Sequence, residues 1–478
     1  MPVLTVRQGA RRHEIPFSPG ACLGDLLHAF DHPHPCGGRG VCGKCSVLMS
    51  GQDAPVLSCQ TYLGDQDAEV YLPEAIPLTQ IAMTGEAAQQ AAPEGAVGAA
   101  VDIGTTTIAL ALYDLHTGGR LAEAAMINPQ TAVAADVIGR IGAALEGRLS
   151  EQERLVRGAI AALLRRACDQ AGLDEARVTE RVITGNTTML YLLTGQNPVS
   201  LSRAPFKADT LFGHPHEAGY LPPCMNAFVG ADITCAALAC GLCESSSPAL
   251  LCDLGTNGEL ALWKDGRLYV TSTAAGPVFE GACISCGVSS IPGAIDRVHA
   301  VGGRLHIHTI GDQPAVGVCG SGLLDAVAAL LEIGAIDETG LLEDAPYPLA
   351  PGVFLTQADV RAVQLAKAAI YAGVRTLLRA AKIAPGDVKR FFVAGGFGSH
   401  AGMGSAAVIG MLPRELAAKA QAVGNAALRG AAALLLSPKK RAEAQRIAAQ
   451  AVHVPLGGDP GFNDAYIEAM MFDTDEEC

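Results

Sequence analysis

Four cysteines stand in a pattern that can bind metal: Cys36, Cys42 and Cys45 share one short stretch, CGGRGVCGKC, and Cys59 follows after thirteen intervening residues. Three thiolates on one tight loop with a fourth on a neighbouring strand suit four-sulfur ligation of a 2Fe-2S cluster. Gly37, Gly38, Gly40 and Gly43 let backbone amides turn inward, where they can hydrogen-bond cluster sulfurs and help set the potential. A structural zinc site is the alternative use of the same thiols.

A second chemistry is written in two similar hairpins, DIGTTT (102–107) and DLGTNGE (253–259). Gly104 and Gly255 bring the backbone close to a phosphate. Thr105, Thr106, Thr107, Thr256 and Asn257 add side-chain donors, while Asp102 and Asp253 can hold Mg2+ through water. A third glycine-rich stretch, FFVAGGFGSH (391–400), ends a strand with Gly395, Gly396 and Gly398. Cys240 with Cys243, and Cys283 with Cys286, form two further CxxC pairs able to take zinc or iron, although a cysteine ending an apolar helix more often serves as a small core residue. His32, His34, His214 and His216 sit beside prolines and read as turn residues rather than ligands.

The elements that must hold these residues follow from periodicity. Segments 2–7 and 13–17 read as a hairpin, and CLGDLLHAF places Leu23, Leu26, Leu27 and Phe30 at helical spacing. Strands at 46–51, 55–61 and 68–73 complete a small sheet-plus-helix domain over residues 1–77. The stretch 78–98 has no apolar periodicity and has the composition of a flexible tether. From 99 to 470 strands and helices alternate, with the two hairpins about 150 residues apart, which predicts a duplicated α/β fold. Helices are expected over 152–172, 230–243, 359–382 and 415–436, and residues 471–478 form an acidic tail. The run 271–295, rich in small residues, reads either as a loop that meets a ligand or partner or as a buried crossover. ITGNTTM (183–189) and VCGSGLLDAV (318–327) open apolar helices either as anion sites or by plain capping.

Composition limits the partners. A hydrophobic content of 49% over 478 residues fills the cores of several domains, and a net charge of -14 excludes a nucleic-acid or anionic-membrane surface, since both require positive charge. With no stretch of signal-peptide or membrane-span character, a cytoplasmic location is expected. Fifteen cysteines there point to metal or redox chemistry plus buried small side chains.

The cysteine loop resembles that of 2Fe-2S ferredoxins, with five residues rather than four between the first two ligands. The order of the three glycine-rich motifs resembles the superfamily of acetate and sugar kinases, heat-shock chaperones and actin, with GADITCAALACGL (230–242) and VGNAALRGAAALL (423–435) resembling its two connecting helices. Together with STAAGPVFEGACISCG and VQLAK (363–367), the chain resembles the ATP-dependent reductive activators of corrinoid proteins. That resemblance implies an N-terminal β-grasp ferredoxin domain followed by an actin-like ATPase of two RNase H-like subdomains. It also implies ATP-driven one-electron reduction of an inactive Co(II) corrinoid of a methyltransferase system to Co(I), an external electron donor and a homodimer. By resemblance Cys36, Cys42, Cys45 and Cys59 carry the electron. Asp102, Thr105, Thr106, Asp253, Gly255, Thr256 and Asn257 meet phosphates and Mg2+, and Gly395, Gly396 and Gly398 lie against the adenosine. The tether runs almost directly into the first phosphate hairpin, so a separate middle domain is expected to be missing. A small-molecule kinase with an accessory ferredoxin domain, an assembly or chaperone protein and a redox ATPase activating another enzyme are the alternatives. Coupling to a nucleotide makes physical sense, because a ferredoxin-type cluster lies near roughly -400 mV and each further ~100 mV costs ~2.3 kcal/mol per electron.

Overall fold

Strands Val3–Gln8, Arg11–Pro16, Ser46–Met49, Val56–Leu57 and Ala68–Leu72 form a five-stranded sheet in the spatial order second, first, fifth, third, fourth. The computed structural model describes residues 1–8, 11–27, 30, 32, 40, 45–50, 56–72, 95–281, 283–395 and 402–472. Alternation along Val3–Gln8 turns Leu4 and Val6 to one face, where they are buried against Leu23 and Leu27 of the helix Leu23–Leu27. The strand expected over 55–61 is shorter than its sequence suggests. After Leu57 the chain winds into a 3-10 turn, Ser58–Gln60, because Ser58 N donates to Cys45 O at 2.9 Å and draws the segment inward.

Two six-stranded sheets follow. In the first, Val97–Ile103, Thr107–Asp114 and Arg120–Ile127 form an antiparallel meander, and Val178–Gly185 joins parallel to Val97–Ile103. In the second, Ala249–Leu254, Gly258–Lys264 and Arg267–Thr273 repeat the meander, and Arg390–Ala394 joins parallel to Ala249–Leu254. A fifth strand lies beyond in each, Gly219–Leu221 and Ala420–Gly424, so the order third, second, first, fourth, fifth occurs twice. The duplication read from the hairpins is therefore a duplication of whole sheets. Long helices Leu149–Ala171 and Gln357–Ala381 pack on corresponding strands of the two.

Between the sheets, Ala231–Ala239 crosses Ala426–Leu436 with backbones in contact. A Cβ at Gly430 would stand 2.0 Å from the carbonyl oxygen of Cys235. The single helix expected over 415–436 is instead a short helix Arg414–Ala417, the strand Ala420–Gly424 and the helix Ala426–Leu436. Gly424, at φ 57, breaks the run, and Asn425 caps the second helix by accepting from Leu428 N at 2.8 Å. The helix expected over 230–243 stops at Ala239, with Gly241 at φ 58.

Three further expectations are corrected. The first sheet begins at Val97, inside the stretch assigned to the tether, and residues 78–94 of that stretch lie outside the described residues. His214 and His216 lie on an edge strand, His214–His216, rather than in a turn. The acidic tail does not begin at Met471, because Phe472 is buried beside Lys367. Lys367, itself fully buried in the helix Gln357–Ala381, donates to Ala469 O at 2.6 Å and Met471 O at 2.5 Å, and burial pushes its pKa down to about 7. Gln364 adds a bond to Met470 O at 2.6 Å. Among the described residues no helix is long and apolar enough to cross a membrane.

Candidate functional site

Each phosphate hairpin closes on itself. Gly104 N donates to Thr107 O at 2.9 Å, and a Cβ on Gly104 would meet that oxygen at 2.6 Å, so the turn admits only glycine. Gly255 N donates likewise to Asn257 O at 3.1 Å. Behind the first hairpin, the buried Arg140 side chain donates to Thr105 O at 2.6 Å, to Ala134 O at 3.0 Å and to Gln130 Oε1 at 3.3 Å. Burial pushes its pKa down to about 9. Asn128 donates its backbone N–H to Thr106 O at 2.8 Å and its side-chain amide to Gly104 O at 2.9 Å. Asn186 caps the helix Thr187–Leu193 through Met189 N and reaches Thr105 Oγ1 at 3.3 Å, so ITGNTTM serves both capping and the site.

The two hairpins face each other. Thr106 Oγ1 and Thr256 Oγ1 are 3.2 Å apart across 150 residues of sequence, and Glu280 accepts from both, at 2.6 and 3.1 Å. Asn425 Nδ2 donates to Asp102 Oδ2 at 3.0 Å. The cavity between them, of ≈ 240 Å³, is walled by Asp102, Asp232, Asp253, Glu259 and Glu280. Asp102, Gly104, Thr105, Thr106, Thr107, Asp253, Gly255, Thr256, Asn257 and Gly395 all line it, so the sequence-derived nucleotide residues are brought together. Gly395, at φ 93, approaches so closely that a Cβ would lie 2.6 Å from Leu254 O. Gly396 and Gly398 lie outside the described residues.

Electrostatics restrict what the cavity can take. Burial raises the pKa of Asp102 to about 6, partly offset by the Asn425 bond. Burial and neighbouring carboxylates raise Asp253 to about 7 and Asp232 to about 8, and hold Glu259 above the usual range. Burial also raises Glu280, against the two threonine bonds. Among the described residues the lining holds five carboxylates and no Lys or Arg, a set better suited to a polyphosphate carried with a divalent cation than to a bare one. Among the described residues no three His, Cys, Asp or Glu side chains are arranged to ligate one ion directly. Acidic walls around a cavity suit outer contacts to Mg2+ that keeps its water, and the residues fit that ion.

Asp232, Glu259, Glu280 and Asn425 were not singled out from sequence, although all four lie within or beside quoted motifs. The run 271–295 is largely a buried crossover: Val278, Phe279 and Ile284 are core residues, Glu280 reaches the cavity, and Cys283 is exposed.

In the N-terminal sheet the buried Cys45 and Cys59 place their sulfurs 3.2 Å apart. Burial, then the bond to Cys45, pushes the Cys59 thiol up. Gln60 Nε2 points at Cys59 Sγ from 3.8 Å. Two buried thiols in contact, one with an amide donor, fit half of a four-sulfur cluster site. Cys36 and Cys42, like His34, lie outside the described residues. His32 is not a simple turn residue: buried, its Nε2 lies 3.2 Å from Cys45 O and 3.1 Å from Ser58 Oγ, bracing both cysteine-bearing segments. Cys240 and Cys243 pack in one core while Cys286 packs against another and Cys283 is exposed, and burial raises Cys240 to about 11 and Cys243 to about 12, which keeps them protonated.

Comparison with known family models bears on residues 97–477. Residues 97–245 match the family described as the RACo middle region, and 247–477 match the C-terminal, ASKHA domain of RACo. The expectation of a missing middle domain is thus corrected: that region is the half of the fold bearing the first hairpin, read from its sequence as part of the ATPase. The chain is 34% identical to the corrinoid activation enzyme RamQ of Eubacterium limosum over 417 residues, 78% of this chain and 70% of that protein. It is 26% identical to a Methanosarcina barkeri reductase of a Co(II) methylated amine-specific corrinoid protein, over 79% of this chain and 77% of the other. A solved reductive activator for a corrinoid, iron-sulfur protein superposes with a TM-score of 0.74 at 26% identity, covering 98% of each chain.

Proposed function

Since this chain belongs to the family of reductive activators of corrinoid proteins, we propose that it uses ATP to return an inactive Co(II) corrinoid protein to Co(I). The observation that carries the nucleotide half is the cavity in which both phosphate hairpins meet five carboxylates and, among the described residues, no Lys or Arg. Thr106 and Thr256 would supply hydroxyl donors to phosphate oxygens, and Asp102 and Asp253 would hold hydrated Mg2+ from the two strand ends. Gly395 gives the adenosine a close backbone surface, and Gly396 and Gly398, outside the described residues, are assigned to it by sequence motif alone.

For the electron-carrying half, a 2Fe-2S cluster on Cys36, Cys42, Cys45 and Cys59 supplies a one-electron carrier when bound. The contact of Cys45 with Cys59 and the His32 brace support this ligand set. Partners are a corrinoid protein of a methyltransferase system and an external electron donor, with this chain acting as a homodimer.

The test is an anaerobic visible spectrum of a candidate Co(II) corrinoid protein mixed with this chain. Conversion to the Co(I) spectrum is expected only when both ATP and a reductant are present, and is lost with Cys59→Ala. Conversion at the same rate without ATP, or in Cys59→Ala, would overturn the reading.

A further inference from the structure

One carboxylate stands where a nucleotide's phosphates would compete with it. Glu280 comes from the segment after the strand Arg267–Thr273 and accepts hydrogen bonds from Thr106 of the first hairpin and Thr256 of the second. It thereby ties the two halves of the fold together through the hydroxyls assigned above to phosphate. The same segment carries Val288, Ser289 and Ser290 along the cavity wall and the exposed Cys283 outside it. Its backbone is sharply turned, with Gly276 at φ 76, Gly281 at φ 74 and, unusually for a side-chain-bearing residue, Cys283 at φ 61. Beyond the tip a second anchor takes over: Asp359 Oδ1 accepts from Ser285 N at 2.7 Å and from Ser285 Oγ at 3.1 Å.

We infer that Glu280 is a clasp which phosphate displaces, so that nucleotide binding loosens the segment from Pro277 to Ile284, short of the backbone bonds that join Cys286 and Val288 to Val318, and carries the state of the cavity to the surface at Cys283. A hydroxyl has one proton to donate, so Thr106 and Thr256 cannot serve Glu280 and a phosphate oxygen together. An anionic carboxylate is also repelled by the polyphosphate that replaces it. Released, Glu280 leaves the far side of the tip held by Asp359 at Ser285 and by the backbone bonds of Cys286 and Val288 with Val318, and the turns at Gly276 and Gly281 absorb the change. This deepens the nucleotide reading and rests on it.

Hydrogen exchange of the full chain, held anaerobic with and without Mg2+ and a non-hydrolysable ATP analogue, tests the clasp, with binding measured separately by calorimetry. Amides of 278–284 should exchange about tenfold faster with the analogue, equivalent to ~1.4 kcal/mol of lost protection. In Glu280→Ala they should exchange fast without nucleotide and respond no further, while Leu149–Ala171 keeps its protection and reports an intact fold. Analogue that binds without changing 278–284 overturns the clasp and leaves the ATPase reading standing, whereas no binding at all overturns both. If Glu280→Ala removes the Mg2+ dependence of binding and leaves 278–284 protected, Glu280 is a metal-holding group and the clasp is wrong.

Discussion

At the residue scale, the first hairpin rests on Arg140. Its guanidinium is the buried donor to Thr105 O, Ala134 O and Gln130 Oε1, and an acceptor buried without a donor costs ~1–3 kcal/mol. Arg140→Met should therefore lower unfolding stability by about 3 kcal/mol in a urea titration and weaken nucleotide binding in parallel. Arg140→Lys should recover little of either, because one ammonium cannot span three acceptors set in a fork. The residues of the hairpins were legible in the sequence because a tight turn around a phosphate makes local demands: Gly104 for its close approach to Thr107 O, threonines for their hydroxyls. Asp232, Glu280 and Asn425 were not, since each reaches the cavity only through long-range packing, and the pairing of Asn425 with Asp102 spans 323 residues.

At the element scale, the two phosphate-motif hairpins, the long helices and the N-terminal hairpin followed from period and turn chemistry, whereas the strand Arg120–Ile127 that extends the first hairpin into a meander did not. The Ala-rich 415–436 stretch did not, because its composition suits a helix throughout and only the pairing of Ala420–Gly424 with Arg390–Ala394 makes part of it a strand. Where the two crossing helices meet, local propensity and packing oppose each other. In an exposed helix Gly→Ala stabilises by ~1 kcal/mol, but at Gly430 the added methyl would lie 2.0 Å from Cys235 O. Packing wins, and Gly430→Ala should destabilise by about 1–3 kcal/mol, read as a lower urea midpoint with unchanged slope. A gain in stability would show that the helices separate freely.

At the scale of the whole molecule, the acidic cavity sets a pH dependence. Unfolded Asp gives up its proton near pH ~3.9. In the fold Asp102, Asp253 and Asp232 hold theirs to about 6, 7 and 8. The folded state thus binds more protons over that window, so this contribution is fully present below the unfolded value and is lost as pH rises through the folded ones. Nucleotide-free protein should accordingly be less stable to urea at pH 8 than at pH 5.5. Asp232→Asn should flatten the decline, and an unaltered profile in that variant would refute the assignment.

Lys367 imposes an order on synthesis. Its buried amine lies where the helix Gln357–Ala381 meets the C-terminal segment, yet one of its acceptors, Met471 O, is 104 positions further along the chain. At translation speeds of about 5–20 residues per second, the ribosome supplies that carbonyl roughly 5–20 seconds after the lysine. Until then the nascent helix must leave this amine in water, so the second half closes only late in translation, and a chain stalled before Ala469 should emerge open and protease-sensitive there.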